Sequence, residues 1–433
     1  MKPQSAPYYS VACGWNALLP ARIPQIQPPS TKRFDAIVVG AGYTGLAIAR
    51  RLAELQPEKE ILAIEASEIG EGLPGRNSGI LAPTVIQPRA NAFGSADDDA
   101  ARKSRIVLAG LDWLRDVVKA NNIDCNWSED TPRIVAVATK QGEKKVRGSL
   151  DSLSKRGLRY REHDRKDILE LIGTAYYQYG CETLTQAMVQ PAALIRGLAD
   201  TLPGNVTLLE STAVEKIEGT APFQVLTERD RFVGEKVFVA NNAHARSLGI
   251  ALDRIVLVHT YGALTPELDD GELDRLGSLP EWAILPPTAM GTTTRKWKRR
   301  FLIRGGHSYE RETRIDKVRS LLSTLYRNRY SAMRSYEFEH VWGGGVGITS
   351  NRESYFGEFK PGLFVSAGCQ GAGVLRGSIH GKLLAELACD SQSSLLTDRL
   401  KLSEPNWIPS EPFRGVGAVA KMAWGQWQAG REF

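Results

Sequence analysis

The chain predicts an α/β fold: an open, largely parallel sheet covered by helices, joined to a smaller α+β domain with a mixed or antiparallel sheet. Two distant stretches carry that prediction, "FDAIVVGAGYTGLAIARRLAELQPEKEILAIEAS" at 34–67 and "GLFVSAGCQGAGVLRGSIHGKLLAELAC" at 362–389. Each opens as a continuous apolar strand of the kind buried on both faces of a parallel sheet. Each then turns through glycines and continues at helical spacing. Length agrees, because 433 residues exceed the roughly 250–300 at which a single core stops growing, so two domains are expected.

In the first stretch Leu46, Ala49, Leu52 and Ala53 keep helical spacing after the glycines, and "EILAIEAS" is the next strand. The glycines have separable tasks: Gly40 makes the tight turn, Gly42 lets a pyrophosphate approach the backbone, and Gly45 lets helix and strand pack closely. The helix start offers unpaired N–H groups to phosphate. Glu65, twenty residues beyond Gly45, stands where ribose hydroxyls are received. Strand, glycine turn, helix and acid together read as a Rossmann-like dinucleotide site. NAD and FAD share this fingerprint, which leaves the cofactor open. "EASEIGEGLPGRNSGILAP" then emerges at the carboxyl edge of the sheet, where ligands of such folds sit. Arg76 and Asn77, between Gly75 and Gly79, can lie along a planar ring there; an ordinary surface loop is the alternative.

The second stretch puts Leu375, Ile379, Leu383 and Leu384 on one helical face, with a helix start that favours negative charge. More than 300 residues separate it from the first, so the dinucleotide domain is discontinuous. Between them Val107, Leu111, Leu114 and Val118 mark a long amphipathic helix, and "RIVAVAT", "IVLVHTYGALTPE" and "RRFLIRGG" read as strands. The expected division is an N-terminal extension at 1–33 ending in the linker "QPPSTKR", a cofactor-binding domain at 34–120, 190–255 and 340–395, a substrate domain at 121–189 and 256–339, and a C-terminal extension at 396–433.

Composition narrows the classes. Five cysteines, odd in number and without a CxxC pair, suggest neither a disulfide framework nor a metal site, and fit a reducing, cytoplasmic setting. No apolar run approaches about 18 residues and the N-terminus lacks the pattern of a secretory signal, so a soluble protein is expected. The net charge of +6 raises nucleic acid as a partner, yet the densest basic stretch, "RKWKRRFLIR" at 295–304, has no nucleic-acid motif around it. It reads as a solvated strand end or an attraction for anionic substrates. In the tail, Val416, Val419, Met422, Ala423 and Trp427 share a helical face, expected to dock on its own domain or a second subunit rather than lie on a membrane.

"VVGAGYTGLAIARRLAE", "EASEIGEGLPGRNSGI", "LIRGGHSY", "WGGGVGITSNRESYFGEF" and "LFVSAGCQGAGVLRGSIHGKLLAELA" occur in an order that resembles the FAD-dependent amine and amino-acid oxidoreductases. That superfamily includes D-amino-acid, glycine and sarcosine oxidases, and the chain is most similar to the gamma-glutamylputrescine oxidase branch. The resemblance covers roughly residues 34 to 390 and implies non-covalent FAD. It assigns Arg76, Asn77, Ser78 and Gly79 to the isoalloxazine ring, Val214 to the adenine side, and Asn241 to a position beside the dinucleotide. Gly40, Gly42, Tyr43, Thr44, Gly45, Glu65 and Ala66 follow from the first motif, and Gly368, Gln370, Gly371, Gly373, Val374 and Leu375 from the last.

The reaction implied is oxidation of a C–N bond in a small amine or amino acid by hydride transfer to flavin N5. It gives an imine that hydrolyses, with oxygen or another carrier as the electron acceptor. His307 matches a histidine near the flavin in sarcosine oxidases, against a plain turn histidine, and Tyr261, Tyr309 and Tyr355 are pocket candidates. Several positions depart from the pattern. Glycine oxidases have an arginine where Gly371 stands, sarcosine oxidases a lysine near Leu375, and no cysteine stands in "GVGI" to bond the flavin. The carboxylate anchor is thus unassigned; Arg376 either takes that part or is an ordinary helix residue. A flavin-binding subunit or scaffold without turnover and an NAD-dependent dehydrogenase are the alternative functions.

Overall fold

A computed structural model describes residues 9–83, 96–155, 157–333 and 337–433. The elements that build the site are, in chain order, β1 (Arg33–Val39), α1 (Tyr43–Leu55), β2 (Ile61–Ile64), α2 (Ala96–Ala120), β3 (Arg231–Val239), β4 (Val256–Leu264), β5 (Arg300–Tyr309), β6 (His340–Ile348), β7 (Tyr355–Lys360), β8 (Leu363–Ala367), α3 (Gly373–Ala388) and α4 (Phe413–Ala429).

The first sheet runs β7-β8-β3-β1-β2 and then Val206–Leu209, with Phe223–Thr227 and Val214–Glu218 attached beside β3. β1 lies parallel between β3 and β2, Ile37 facing Val237 on one side and Leu62 on the other. Its continuous apolar run is explained by cover on both faces. Ile37 and Val39 join the core that holds Val237 and Val365, while Ala36 and Val38 join Ile48, Leu52, Ile379 and Leu383 beneath α1 and α3. Each fully buried Ile, Val or Leu among them contributes about 1.5–3 kcal/mol. Gly40 has φ +96°, and a Cβ on Gly45 would lie 1.7 Å from the Gly40 carbonyl oxygen, so this turn exists only with glycine at both places.

The second sheet runs β6-β4-β5 and then Thr293–Trp297, Trp282–Leu285, Arg133–Val137, Tyr179–Thr183 and Tyr160–His163. It is antiparallel except where Trp282–Leu285 pairs with Arg133–Val137. The segment at 340–348, expected within the cofactor-binding stretch 340–395, pairs instead with β4 over its whole length, from Val256 opposite Ile348 to Leu264 opposite His340. A run of glycines hides a strand in the sequence; pairing with a full-length neighbour creates it.

The described segments before β1 and after α4 are both built in. Cys13 and Trp15 are fully buried in a cluster with Trp297 and Trp342. At the other end the buried Glu432 carboxylate accepts from Ala138 N at 2.8 Å, and Arg329 donates to the Phe433 carbonyl at 2.8 Å. The face expected on α4 is divided. Met422 points inward with the small residues Gly415, Ala418, Gly425 and Ala429, whereas Val416, Val419, Ala423, Trp424 and Trp427 are exposed. Among the described residues no helix is long and apolar enough to cross a membrane.

Candidate functional site

Two helices open onto a cavity of about 320 Å³ where the two sheets meet. Gly42 and Ala372 stand at the N-caps of α1 and α3, and at neither does a side chain cap the first turn. Some helices elsewhere are capped, Asp164 and Ser393 capping their own. Uncapped N–H groups facing a cavity are an anion site, and the helix dipole adds to it. At the end of β2 the Glu65 carboxylate accepts from Ala41 N at 2.9 Å and from the Ser67 amide and hydroxyl at 3.1 and 3.0 Å. Burial raises its pKa against those hydrogen bonds. The buried Asn241 Oδ1 and Thr260 Oγ1 face the cavity without a partner among the described residues, as groups that receive a ligand do.

The loop after β2 is held by donors from outside it. Trp15 Nε1 donates to the Asn77 carbonyl at 2.8 Å, Trp342 Nε1 to that of Arg76 at 3.2 Å, and Arg295 to that of Ser78 at 2.9 Å. Asn77 closes the turn on itself, accepting from Gly79 N at 2.8 Å and donating to the Pro74 carbonyl at 2.6 Å. The Arg76 guanidinium donates to the carbonyls of Glu71, Gly343 and Val11 at 2.6, 3.0 and 2.8 Å, and Tyr9 lies against it at 3.7 Å. That guanidinium is a strut between loop, β6 and N-terminal segment.

Of the residues expected at the cofactor, Gly40, Gly42, Tyr43, Thr44, Glu65, Ala66, Arg76, Asn77, Ser78, Val214, Asn241, Gly368, Gly371, Gly373, Val374 and Leu375 line the cavity. Gly45, Gly79 and Gln370 stand behind the wall, Gln370 donating to Thr349 Oγ1 at 2.8 Å. The four candidates for chemistry are not part of the wall. Tyr261 is buried in the core with its hydroxyl 2.6 Å from Ser308 Oγ, Tyr309 donates to Glu411 at 2.6 Å, and Tyr355 packs near Phe359. His307 has a buried Nδ1 without a partner among the described residues, and burial together with the Arg304 charge pushes its pKa down to about 3.

Arg304 is the residue sequence reasoning missed. Phe301 and Ile303 point into the core of the second domain, and Arg304, on the alternate face of β5, lines the cavity near Thr260 and Thr293. It has no hydrogen-bond or ion-pair partner among the described residues, and burial lowers its pKa to about 10, so it remains cationic at neutral pH. The available signal was a lone charge inside the apolar strand "FLIRGG". The surrounding basic stretch is a solvated strand end only at Lys298 and Arg299, in the turn before β5; Arg295 is fully buried, and Lys296 donates to the Leu273 and Leu279 carbonyls at 3.1 and 2.9 Å.

A family described as FAD dependent oxidoreductase matches residues 35–387. The chain belongs to that family. It is an FAD-dependent oxidoreductase of the amine and amino-acid oxidase kind, which sets aside the NAD alternative. A probable oxidoreductase OrdL of Rhizobium meliloti is 26% identical over 426 residues, 92% of each chain. The gamma-glutamylputrescine oxidoreductase of Escherichia coli is 25% identical over 373 residues, covering 82% of this chain and 83% of that one. In fold the chain is similar to glycine oxidase from Geobacillus kaustophilus, with a TM-score of 0.71 at 19% identity, covering 84% of this chain and 96% of the other.

Proposed function

We propose that the protein oxidises the C–N bond of a small amino acid, with FAD along the cavity and the substrate carboxylate on Arg304. Uncapped α1 suits the pyrophosphate, Glu65 the adenosine ribose, and the loop at 76–78 with the start of α3 the isoalloxazine ring. Bound FAD supplies a two-electron acceptor for the C–H bond beside the nitrogen. The chain's own part is positioning. Arg304 orients the acid, the Thr260 and Thr293 hydroxyls flank it, and the second sheet excludes water from the reacting carbon. His307, kept neutral outside the wall, adds no second charge to that of Arg304. The amine loses a proton as its carbon loses the hydride, and the imine hydrolyses in water.

Similar proteins named for glycine and for gamma-glutamylputrescine leave amino acid and amine both open. The unpaired Arg304 guanidinium carries the choice, because an arginine fork without a counter-ion matches a carboxylate. The test is a screen of amino acids against their decarboxylated amines, following flavin bleaching without oxygen. Amino acids should bleach the flavin and the matched amines should not. Amines that bleach it equally well would overturn the reading.

A further inference from the structure

We propose that a small inorganic anion binds beneath α3, in a lobe of the cavity walled by Arg376, His380 and Ser366. Arg376 and His380 are one turn apart on the face of α3 turned toward the sheet, and Ser366 is next to last on β8 below them. The surroundings are otherwise an apolar helix–sheet interface, with Ile379, Leu383 and Phe364 in the same core. His380 and Ser366 are each only 6% exposed and both line the cavity. Among the described residues neither has a hydrogen-bond partner, and Arg376 has neither hydrogen bond nor ion pair.

The local charges do not cancel. Glu353, the acid near Arg376, is engaged by Lys103. Arg399, buried and close to the same lobe, donates to the Ser354 carbonyl at 2.7 Å and has its Nε without a partner. Arg376 is half-buried, and a guanidinium partly desolvated without a counter-ion is unfavourable, so a helix–sheet interface retains one when something pairs with it. Guanidinium, hydroxyl and imidazole N–H each offer a donor to the cavity that the three residues line. That donor set fits a phosphate-sized oxyanion or a halide and excludes a cation. The pyrophosphate of FAD has the same chemistry, so the experiment must separate the two sources.

Melting temperatures of the holoenzyme would be measured with chloride or inorganic phosphate titrated at constant ionic strength, balanced by a bulky sulfonate salt. A saturable rise of several degrees is expected at a hundredfold excess over half-saturation. Arg376→Leu, which replaces the charge by an apolar side chain suited to the interface, should abolish the rise. Ser366→Ala, on the opposite wall, should raise the half-saturating concentration about tenfold, the scale of one lost hydrogen bond. A melting temperature that follows ionic strength alone, or an unaltered rise in both variants, would overturn the site. So would a response present in apoprotein and lost on loading FAD, which would assign the lobe to the cofactor's own phosphate.

Discussion

Replacing Arg304 by methionine removes the guanidinium while keeping an unbranched stem on the cavity face of β5. Among the described residues no group loses a hydrogen bond to the Arg304 side chain, so the melting temperature should hold or rise. The substrate acid, however, loses its partner. Truncating one member of a desolvated charge pair costs about 2–5 kcal/mol. At about 1.4 kcal/mol per tenfold, kcat/KM for amino acids should fall by about 30-fold to about 4000-fold. The assay is stopped-flow flavin reduction without oxygen, run on each amino acid beside its decarboxylated amine, where the amine should change by less than about threefold. His307 gives a second readout, because the Arg304 charge helps depress its pKa and an NMR titration should find it raised in the variant. Equal losses for acids and amines, or no loss for either, would refute the assignment of Arg304 to the carboxylate.

Gly42→Val should yield folded protein without flavin: the backbone there is extended, which valine accepts, and the new side chain enters the cavity beside Pro74. Full flavin absorbance in the purified variant would contradict the phosphate assignment. Acid precipitation of the wild-type protein should release all its flavin to the supernatant, and flavin on the pellet would mark a covalent bond. His307 titrates near 3 folded and about 6.5 unfolded, so only the unfolded chain takes up its proton as pH falls between those values. It should therefore cost about 2 kcal/mol of stability between pH 7.5 and 5, a loss that His307→Asn reduces in urea unfolding; an unchanged pH dependence refutes the depressed pKa. Ending the chain at Pro405 strips Arg329 of its carbonyl partners on Glu432 and Phe433 and should lower the melting temperature by several degrees. An unaltered melt would count against a structural tail.

What the sequence made legible is what is local. The turn from Gly40 to Gly45 and the acid at Glu65 lie within one βαβ unit, and their spacing alone specifies the geometry. Strand pairing is not local. Arg304 acquires meaning only when β5 lies against β4 and brings it beside Thr260, from 44 positions earlier in the chain. The same holds for Trp15, which has no periodic context in the sequence yet donates into the loop at 71–79. Arg376 and His380 were visible as polar interruptions of an apolar helix, but periodicity cannot say whether such a face meets solvent or a sheet.

The loop beside the cavity is tied at two neighbouring carbonyls, that of Asn77 by Trp15 and that of Arg76 by Trp342, and most of the chain separates β1 from β8. On the ribosome this imposes an order. At about 5–20 residues per second, Trp15 waits tens of seconds for its partner ring, with its apolar surface uncovered meanwhile. A nascent chain that stops short of β8 has the glycine turn but neither the closing strand nor the start of α3. Flavin capture is therefore a late event, completed as the last fifth of the polypeptide emerges, and truncated translation products should be colourless however well their first βαβ unit folds.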